Sequence, residues 1–425
     1  MKKYRLDTLA VHGGQCPDPT ELSVGLPIHR TSAYAYKNTA HARALFDLDT
    51  PGNIYTRLGN PTMNVLEERL TLLEGGAAAV SAASGMAAIF NTVATLAQAG
   101  DEIIACSNLY GGTFTLFDAI LPQLGIRCKM APLNDTAAID AAVSEKTRMI
   151  YVETIGNPGL DVADLDLIAR AARKHHLPLV VDSTFTTPAL LRPFEHGANI
   201  IIHSCSKWIG GHGTGIGGIA IDGGNFDWDD PRFPLFTKPD PNYHGLIWAE
   251  AFKGAPVFAL RMRTVPLRNI GACLSPDNAW LFLQGLETLS LRMERHCQNA
   301  LKTAEYLAAH PKVDWVRYPG LAQDAAHSLA RKYLPKGCGG MVVFGVKGGR
   351  SSGEKFIDAL QLFLQVANVG DAKSMALHPG STTHSQLSDE QQRLAGVAPE
   401  MVRLSIGIED INDILEDLEQ ALEKA

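Results

Sequence analysis

Lys207 is the residue of this sequence best placed to do chemistry. It stands in "HSCSKWIGGHGTGIGG", residues 203–218, after the apolar run Ile200 to Ile202 and ahead of six glycines. Burial at the end of a strand disfavours the ammonium form, so such an amine has a lowered pKa. It can then attack a carbonyl to form a Schiff base. The glycines let backbone approach a flat ligand closely. Gly213, Gly215 and Gly218 also satisfy G-x-G-x-x-G, but no clear strand–turn–helix unit surrounds them. No Gly-Lys-Ser/Thr closes a P-loop either, so both nucleotide readings fail.

An aldehyde cofactor on Lys207 needs three further parts. An electron-withdrawing pyridine ring needs a carboxylate to keep its nitrogen protonated. Asp182 ends "LPLVVD", where a charge after so apolar a run is costly unless paired. The competing reading is an ordinary helix cap. A phosphate tail needs backbone N–H groups at a helix start, and Ser84, Gly85 and Met86 in "SAASGMAAIF" supply one. Ser204 and Ser206 add hydroxyls, and Arg57 in "NIYTRLGNP" adds charge. A stacking partner for the ring is offered by Tyr110 in "NLYGGT", where a core tyrosine is the default alternative. In this order, the parts describe a pyridoxal phosphate site.

The elements that must hold these residues follow from periodicity. "AAAVSAA" (77–83), "DEIIACS" (101–107), "RMIYVET" (148–154), "LPLVVDST" (177–184) and "ANIIIHS" (198–204) read as buried strands. Helical patterns such as "DLDLIARAARKHH" (164–176) lie between them. The alternation predicts an α/β fold with a mostly parallel sheet, whose carboxyl strand ends are the place for chemistry. Residues 1–60 read as an arm, 61–280 as a large cofactor domain and 281–425 as a smaller α+β domain. The stretch from Ser275 reads as one long helix opened by Ser-Pro-Asp, "MVVFGV" and "MVRLSIGIED" as strands, and the acidic C-terminus as a solvated helix face packing Ile411, Ile414, Leu415 and Leu418 inward.

Bulk properties exclude other classes. The 425 residues carry a formal charge of -7, which disfavours nucleic acid and anionic membranes as partners. Seven scattered cysteines without a C-x-x-C pair favour reduced thiols, and a cytoplasmic location is expected. The uncharged stretch Ala77–Gly100 is too rich in Ala, Ser, Thr and Gly for a membrane span. The 14 histidines lack metal-ligand spacing, so no metal is expected.

The blocks "VHGG" (11–14), "YTRLGNPT" (55–62), "SGMAA" (84–88), "LYGGT" (109–113), "ETIGNP" (153–158), "VDSTFTTP" (181–188), "HSCSKWIGGHG" (203–213), "HPGSTTH" (378–384) and "RLSIGIED" (403–410) run in order along nearly the whole chain. With them the chain resembles the Cys/Met-metabolism pyridoxal-phosphate enzymes, which have the fold type I (aspartate aminotransferase-like) architecture. The resemblance implies that Lys207 holds the cofactor and shuttles protons, that Asp182 pairs its ring nitrogen and that Tyr110 stacks on the ring. It implies that Asn157 bonds the ring hydroxyl and that Ser84, Gly85, Met86, Ser204 and Ser206 seat the phosphate. Tyr55 and Arg57 would reach the phosphate of a neighbouring subunit, in a homotetramer built as a dimer of dimers. Arg403, Ser374 and Asn157 would bind the substrate carboxylate, for which a guanidinium fork is well suited. His378 and His384 would lie near the substrate entrance. Thr154 stands where the family usually has serine.

Within the family, the long segment Asn225–Leu274 and Gly112 of "LYGGT" resemble the O-acetylhomoserine sulfhydrylase branch. That implies replacement of acetate by sulfide, or by sulfur from a carrier, on O-acetyl-L-homoserine to give L-homocysteine for methionine biosynthesis. The alternatives on the same fold are cystathionine γ-synthase, O-succinylhomoserine sulfhydrylase and methionine γ-lyase.

Overall fold

The β-branched and alanine-rich runs are strands, buried on both faces by helices. The computed structural model describes residues 4–382 and 396–425, so His384 lies outside the described residues. The larger sheet contains β1 (Ala78–Ala82), β2 (Glu102–Cys106), β3 (Arg127–Ala131), β4 (Thr147–Glu153), β5 (Leu179–Asp182), β6 (Ile200–Ser204) and β7 (Gly218–Asp222). Their order is β1-β7-β6-β5-β4-β2-β3. The pairs from β3 through β6 are parallel, while β7 runs antiparallel to both β1 and β6. Every residue of β4 is buried. Truncating a fully buried isoleucine such as Ile202 to alanine costs roughly 2–5 kcal/mol.

Two strands of this sheet escape the sequence pattern. β3, "RCKMA", is an edge strand with only Ala131 buried, so it lacks an apolar run. β7 follows the glycine-rich stretch directly, and its entry, Gly218, packs against backbone. A Cβ there would lie 2.2 Å from the Ser84 carbonyl oxygen.

The second sheet contains β8 (Val313–Arg317), β9 (Met341–Val346), β10 (Leu364–Gln365), β11 (Met375–Leu377) and β12 (Met401–Ser405). Its order is β10-β11-β12-β9-β8, antiparallel except for β10 with β11. Helices Leu289–Ala309, Arg350–Ala359 and Ile411–Lys424 close its core around Val342, Phe344, Phe356 and Leu418. The stretch from Ser275 is two helices, Pro276–Glu287 and Leu289–Ala309, interrupted at Thr288. Ser275 caps the first by accepting the Asn278 N–H at 3.1 Å. Residue 280, the expected domain limit, therefore falls inside a helix that packs on Pro61–Glu74. The acidic C-terminal helix has one inward-facing carboxylate: Asp417 accepts the N–H groups of Gln361, Leu362 and Phe363 at 2.8–3.2 Å.

Among the described residues no helix is long and apolar enough to cross a membrane.

Candidate active site

A cavity of about 430 Å³ opens at the carboxyl ends of β1, β4, β5 and β6, closed on one side by residues 367–369 and Arg403 of the second sheet's region. Ten sequence-predicted residues line it: Ser84, Gly85, Met86, Tyr110, Asn157, Asp182, Ser204, Ser206, Lys207 and Arg403.

Lys207 is half-buried, and its Nζ donates to Asn368 Oδ1 at 2.5 Å. Burial lowers its pKa, and the neighbouring Arg403 guanidinium lowers it further. The amine is therefore neutral at a lower pH than a surface lysine. Its turn is braced from behind by the buried Arg292, which donates to the carbonyls of Trp208 (2.7 Å), Ile209 (3.2 Å) and Gly285 (2.6 Å).

Asp182 and Glu153 end adjacent strands in register. Asp182 accepts the Thr184 N–H at 2.9 Å and the Tyr151 hydroxyl at 3.2 Å, and burial still raises its pKa. Glu153 is raised well above the usual carboxylate range, first by burial and then by the charge of Asp182. Two carboxylates this close inside a protein do not both ionise without a cation between them. Asp182, with two donors, is the one set to carry charge, and a protonated ring nitrogen would supply the missing partner. Behind them the fully buried His203 ring pairs with Glu74 at 2.7 Å, which places that histidine in the core.

The candidate anion seat is the start of helix Gly85–Leu96. Ser84 is its N-cap, accepting the Ala87 N–H at 3.0 Å, and the amides of Gly85 and Met86 have no intrahelical acceptor. Gly85 has to be glycine, since a Cβ there would sit 2.7 Å from Ser204 Cβ. Ser206 exchanges hydrogen bonds with Gly217, accepting its N–H at 3.0 Å.

Arg403 Nη1 donates to Asn157 Oδ1 at 3.1 Å across the two sheets, and burial pulls its pKa down to about 10. Ser374 is not brought to the cavity. It is fully buried, donating through its N–H (2.5 Å) and Oγ (3.0 Å) to Glu409 and accepting the Gly407 N–H at 2.9 Å. His378, expected at the entrance, is likewise buried, packed under Gly353. Tyr55 and Arg57 are also absent from the cavity wall. Tyr55 is exposed, the Arg57 guanidinium lies 5.2 Å over its ring, and Arg57 Nη1 donates to the Arg268 carbonyl at 2.5 Å.

The structure adds residues that the sequence reading gave no role. Thr184 lines the cavity and its Oγ1 accepts the Ser204 N–H at 2.9 Å, locking β5 to β6. Glu153 accepts the Tyr110 N–H at 2.8 Å. Asn368 meets the lysine. Thr184 and Glu153 sit inside the motif blocks, where strand-end position was the available signal. Asn368 lies some 160 residues from Lys207, in an unremarked loop.

An amine of lowered pKa, a buried carboxylate short of a cation and a helix start with the Gly85 and Met86 amides to spare, all on one cavity, fit pyridoxal phosphate. The comparisons agree. Residues 7–423 match the profile of Cys/Met metabolism PLP-dependent enzymes. An O-acetyl-L-homoserine sulfhydrylase of Leptospira meyeri is 50% identical over 99% of this chain and 97% of its own. A homocysteine synthase of Schizosaccharomyces pombe is 49% identical over the full length of both. A crystal structure from Campylobacter jejuni, of a chain assigned as an O-acetylhomoserine (thiol)-lyase, superposes with a TM-score of 0.96 at 42% identity. It covers 99% of this chain and all of its own, and it carries a pyridoxyl-lysine phosphate adduct. The fold is thus fold type I, the cofactor is pyridoxal phosphate, and the chain belongs to the Cys/Met metabolism family of PLP-dependent enzymes.

Proposed function

We propose that this enzyme replaces acetate by sulfide on O-acetyl-L-homoserine, giving L-homocysteine. The observation that carries the reading is the convergence of Lys207, Asp182 and Arg403 on one cavity, in a chain about half identical to sulfhydrylases and homocysteine synthases.

Bound pyridoxal phosphate supplies an aldehyde for the amino group and a ring that withdraws electrons from Cα. Lys207 would hold it, with Gly85, Met86, Ser84, Ser204 and Ser206 around the phosphate. Asp182 would keep the ring nitrogen protonated, Tyr110 would stack on the ring, and Asn157 would face the ring hydroxyl. Arg403 grips the substrate carboxylate and so fixes Cα relative to Lys207. Freed from the cofactor, Lys207 Nζ takes the proton from Cα and next serves Cβ, and burial, by lowering its pKa, makes the neutral base easier to reach than on a surface lysine. At Cγ the C–O bond breaks with loss of acetate and a C–S bond forms to hydrosulfide. Both protons return to carbon, so the exchange needs no oxidant or reductant.

Tyr55 and Arg57 would serve the phosphate of a neighbouring subunit, in a tetramer made of two such dimers. Exposure of Tyr55, and the place of both outside their own cavity, support that reading. Seven cysteines free of disulfides support a cytoplasmic enzyme, and the likeness to a homocysteine synthase supports a place in methionine biosynthesis.

Steady-state rates with O-acetyl- and O-succinylhomoserine, each with sulfide, with cysteine and with neither, test the assignment. Homocysteine formation should be fastest with the acetyl ester and sulfide. Preference for cysteine or for the succinyl ester, or ammonia release without a thiol, would overturn it. Lys207→Ala should abolish turnover and the visible band of the bound cofactor.

A further inference from the structure

The environment of Tyr110 holds a device that the mechanism above does not use. Tyr110 precedes the five-residue helix Gly111–Thr115 and has no side-chain cap of its own. Its ring is half exposed, and no aromatic neighbour holds it among the described residues. Two features define its position instead. Its N–H is gripped at 2.8 Å by Glu153 Oε1, from a side chain only 8% exposed at the end of β4. The ring lies against Gly112, where an added Cβ would stand 2.6 Å from Tyr110 Cε1 and 3.2 Å from Cζ.

Glu153 has no cationic partner within ion-pair distance among the described residues. Burial, and then the charge of Asp182, hold its pKa well above the usual carboxylate range, and such a group is costly to bury for structure alone. An apolar side chain would fill the same space without that cost, but it could not accept the Tyr110 N–H.

We propose that Glu153 and Gly112 act together as positioning residues that set the Tyr110 ring over the cofactor site. Glu153 fixes the backbone from beneath, and Gly112 leaves the space into which the ring settles. This deepens the assigned site and rests on that reading. It treats Glu153 as an acceptor of fixed geometry rather than as a charge, and it makes the absence of a side chain at residue 112 a functional requirement.

The test compares Glu153→Ala, Glu153→Gln, Gly112→Ala and Tyr110→Ala in the holoenzyme. Readouts are visible circular dichroism of the bound cofactor, apoprotein affinity for pyridoxal phosphate, and kcat and KM with O-acetylhomoserine and sulfide. Loss of one buried hydrogen bond is worth about tenfold. Glu153→Ala should lower kcat about tenfold, weaken cofactor affinity and change the dichroic band. Glu153→Gln keeps the acceptor oxygen and should restore most of that loss. Gly112→Ala, whose backbone tolerates alanine, should reproduce the dichroic change without loss of thermal stability. On a Tyr110→Ala background, neither second change should add to the defect. The proposal is overturned if Glu153→Gln is as impaired as Glu153→Ala, if Gly112→Ala leaves the band and kcat of the parent, or if effects add fully to Tyr110→Ala. An unmodified enzyme inactive with O-acetylhomoserine would instead refute the functional assignment, and the spectroscopic arms would still read Tyr110.

Discussion

The Nζ of Lys207 and the Oδ1 of Asn368 stand 2.5 Å apart, joining the turn after β6 to the loop between β10 and β11. An amide oxygen accepts a hydrogen bond from an amine or an ammonium alike, so it orients the lysine without fixing its charge. A carboxylate in its place would favour the ammonium. Asn368→Asp should therefore raise the Lys207 pKa, and the acidic limb of the kcat profile should move to higher pH by about one unit. Asn368→Ala should lower kcat severalfold with the limb in place. A pH–rate series on the three proteins checks this.

Gly85→Ala tests the anion seat. The added methyl meets Ser204 2.7 Å away, so the helix start or the serine has to move. Pyridoxal phosphate affinity should fall by at least about tenfold when apoprotein is titrated, since a displaced donor set loses charge-assisted hydrogen bonds. Thermal unfolding of the apoprotein should change little by comparison.

The proposed sharing of sites between subunits predicts complementation. Arg57→Ala and Lys207→Ala proteins should each be nearly inactive, yet mixed subunits should regain activity, because one face of the hybrid carries both native residues. Dissociating, mixing and reassociating the two variants, then assaying against each alone, reads the outcome.

His296 makes stability pH-dependent. Burial lowers its pKa from 6.5 to about 4, while its ring N–H donates to the Ile406 carbonyl at 2.6 Å. Between those values the unfolded chain binds the extra proton, so stability is full above pH 6.5 and falls as pH drops toward 4. The loss is on the order of 3 kcal/mol for this group. His296→Asn should be less stable at pH 7 but flatter across pH 7 to 5, as measured by urea midpoints.

Much of the site was legible because its residues sit at the ends of apolar runs. Asp182, Lys207 and Ser84 each follow a buried strand, and a parallel sheet aims such positions at one edge. What sequence could not show is pairing across distance. Ser374 was expected beside Arg403 at the substrate carboxylate, yet its hydroxyl is consumed by Glu409, a tertiary contact without periodic trace. β3 was missed because an edge strand needs no apolar face, and Thr288 because a break of one residue leaves helical spacing intact on both sides. Asp417 looked solvated because its partners are backbone amides from another segment.

The antiparallel insertion of β7 has a wider bearing. It clamps the strand leading to the helix start at residue 85 to the strand leading to the lysine, so both are set by one continuous hydrogen-bonded run of strands. Arg403 stands on the second sheet, and its side chain reaches across to Asn157. A descendant of this enzyme could thus acquire a taste for a different amino acid by remodelling the second sheet, without disturbing how it keeps its vitamin.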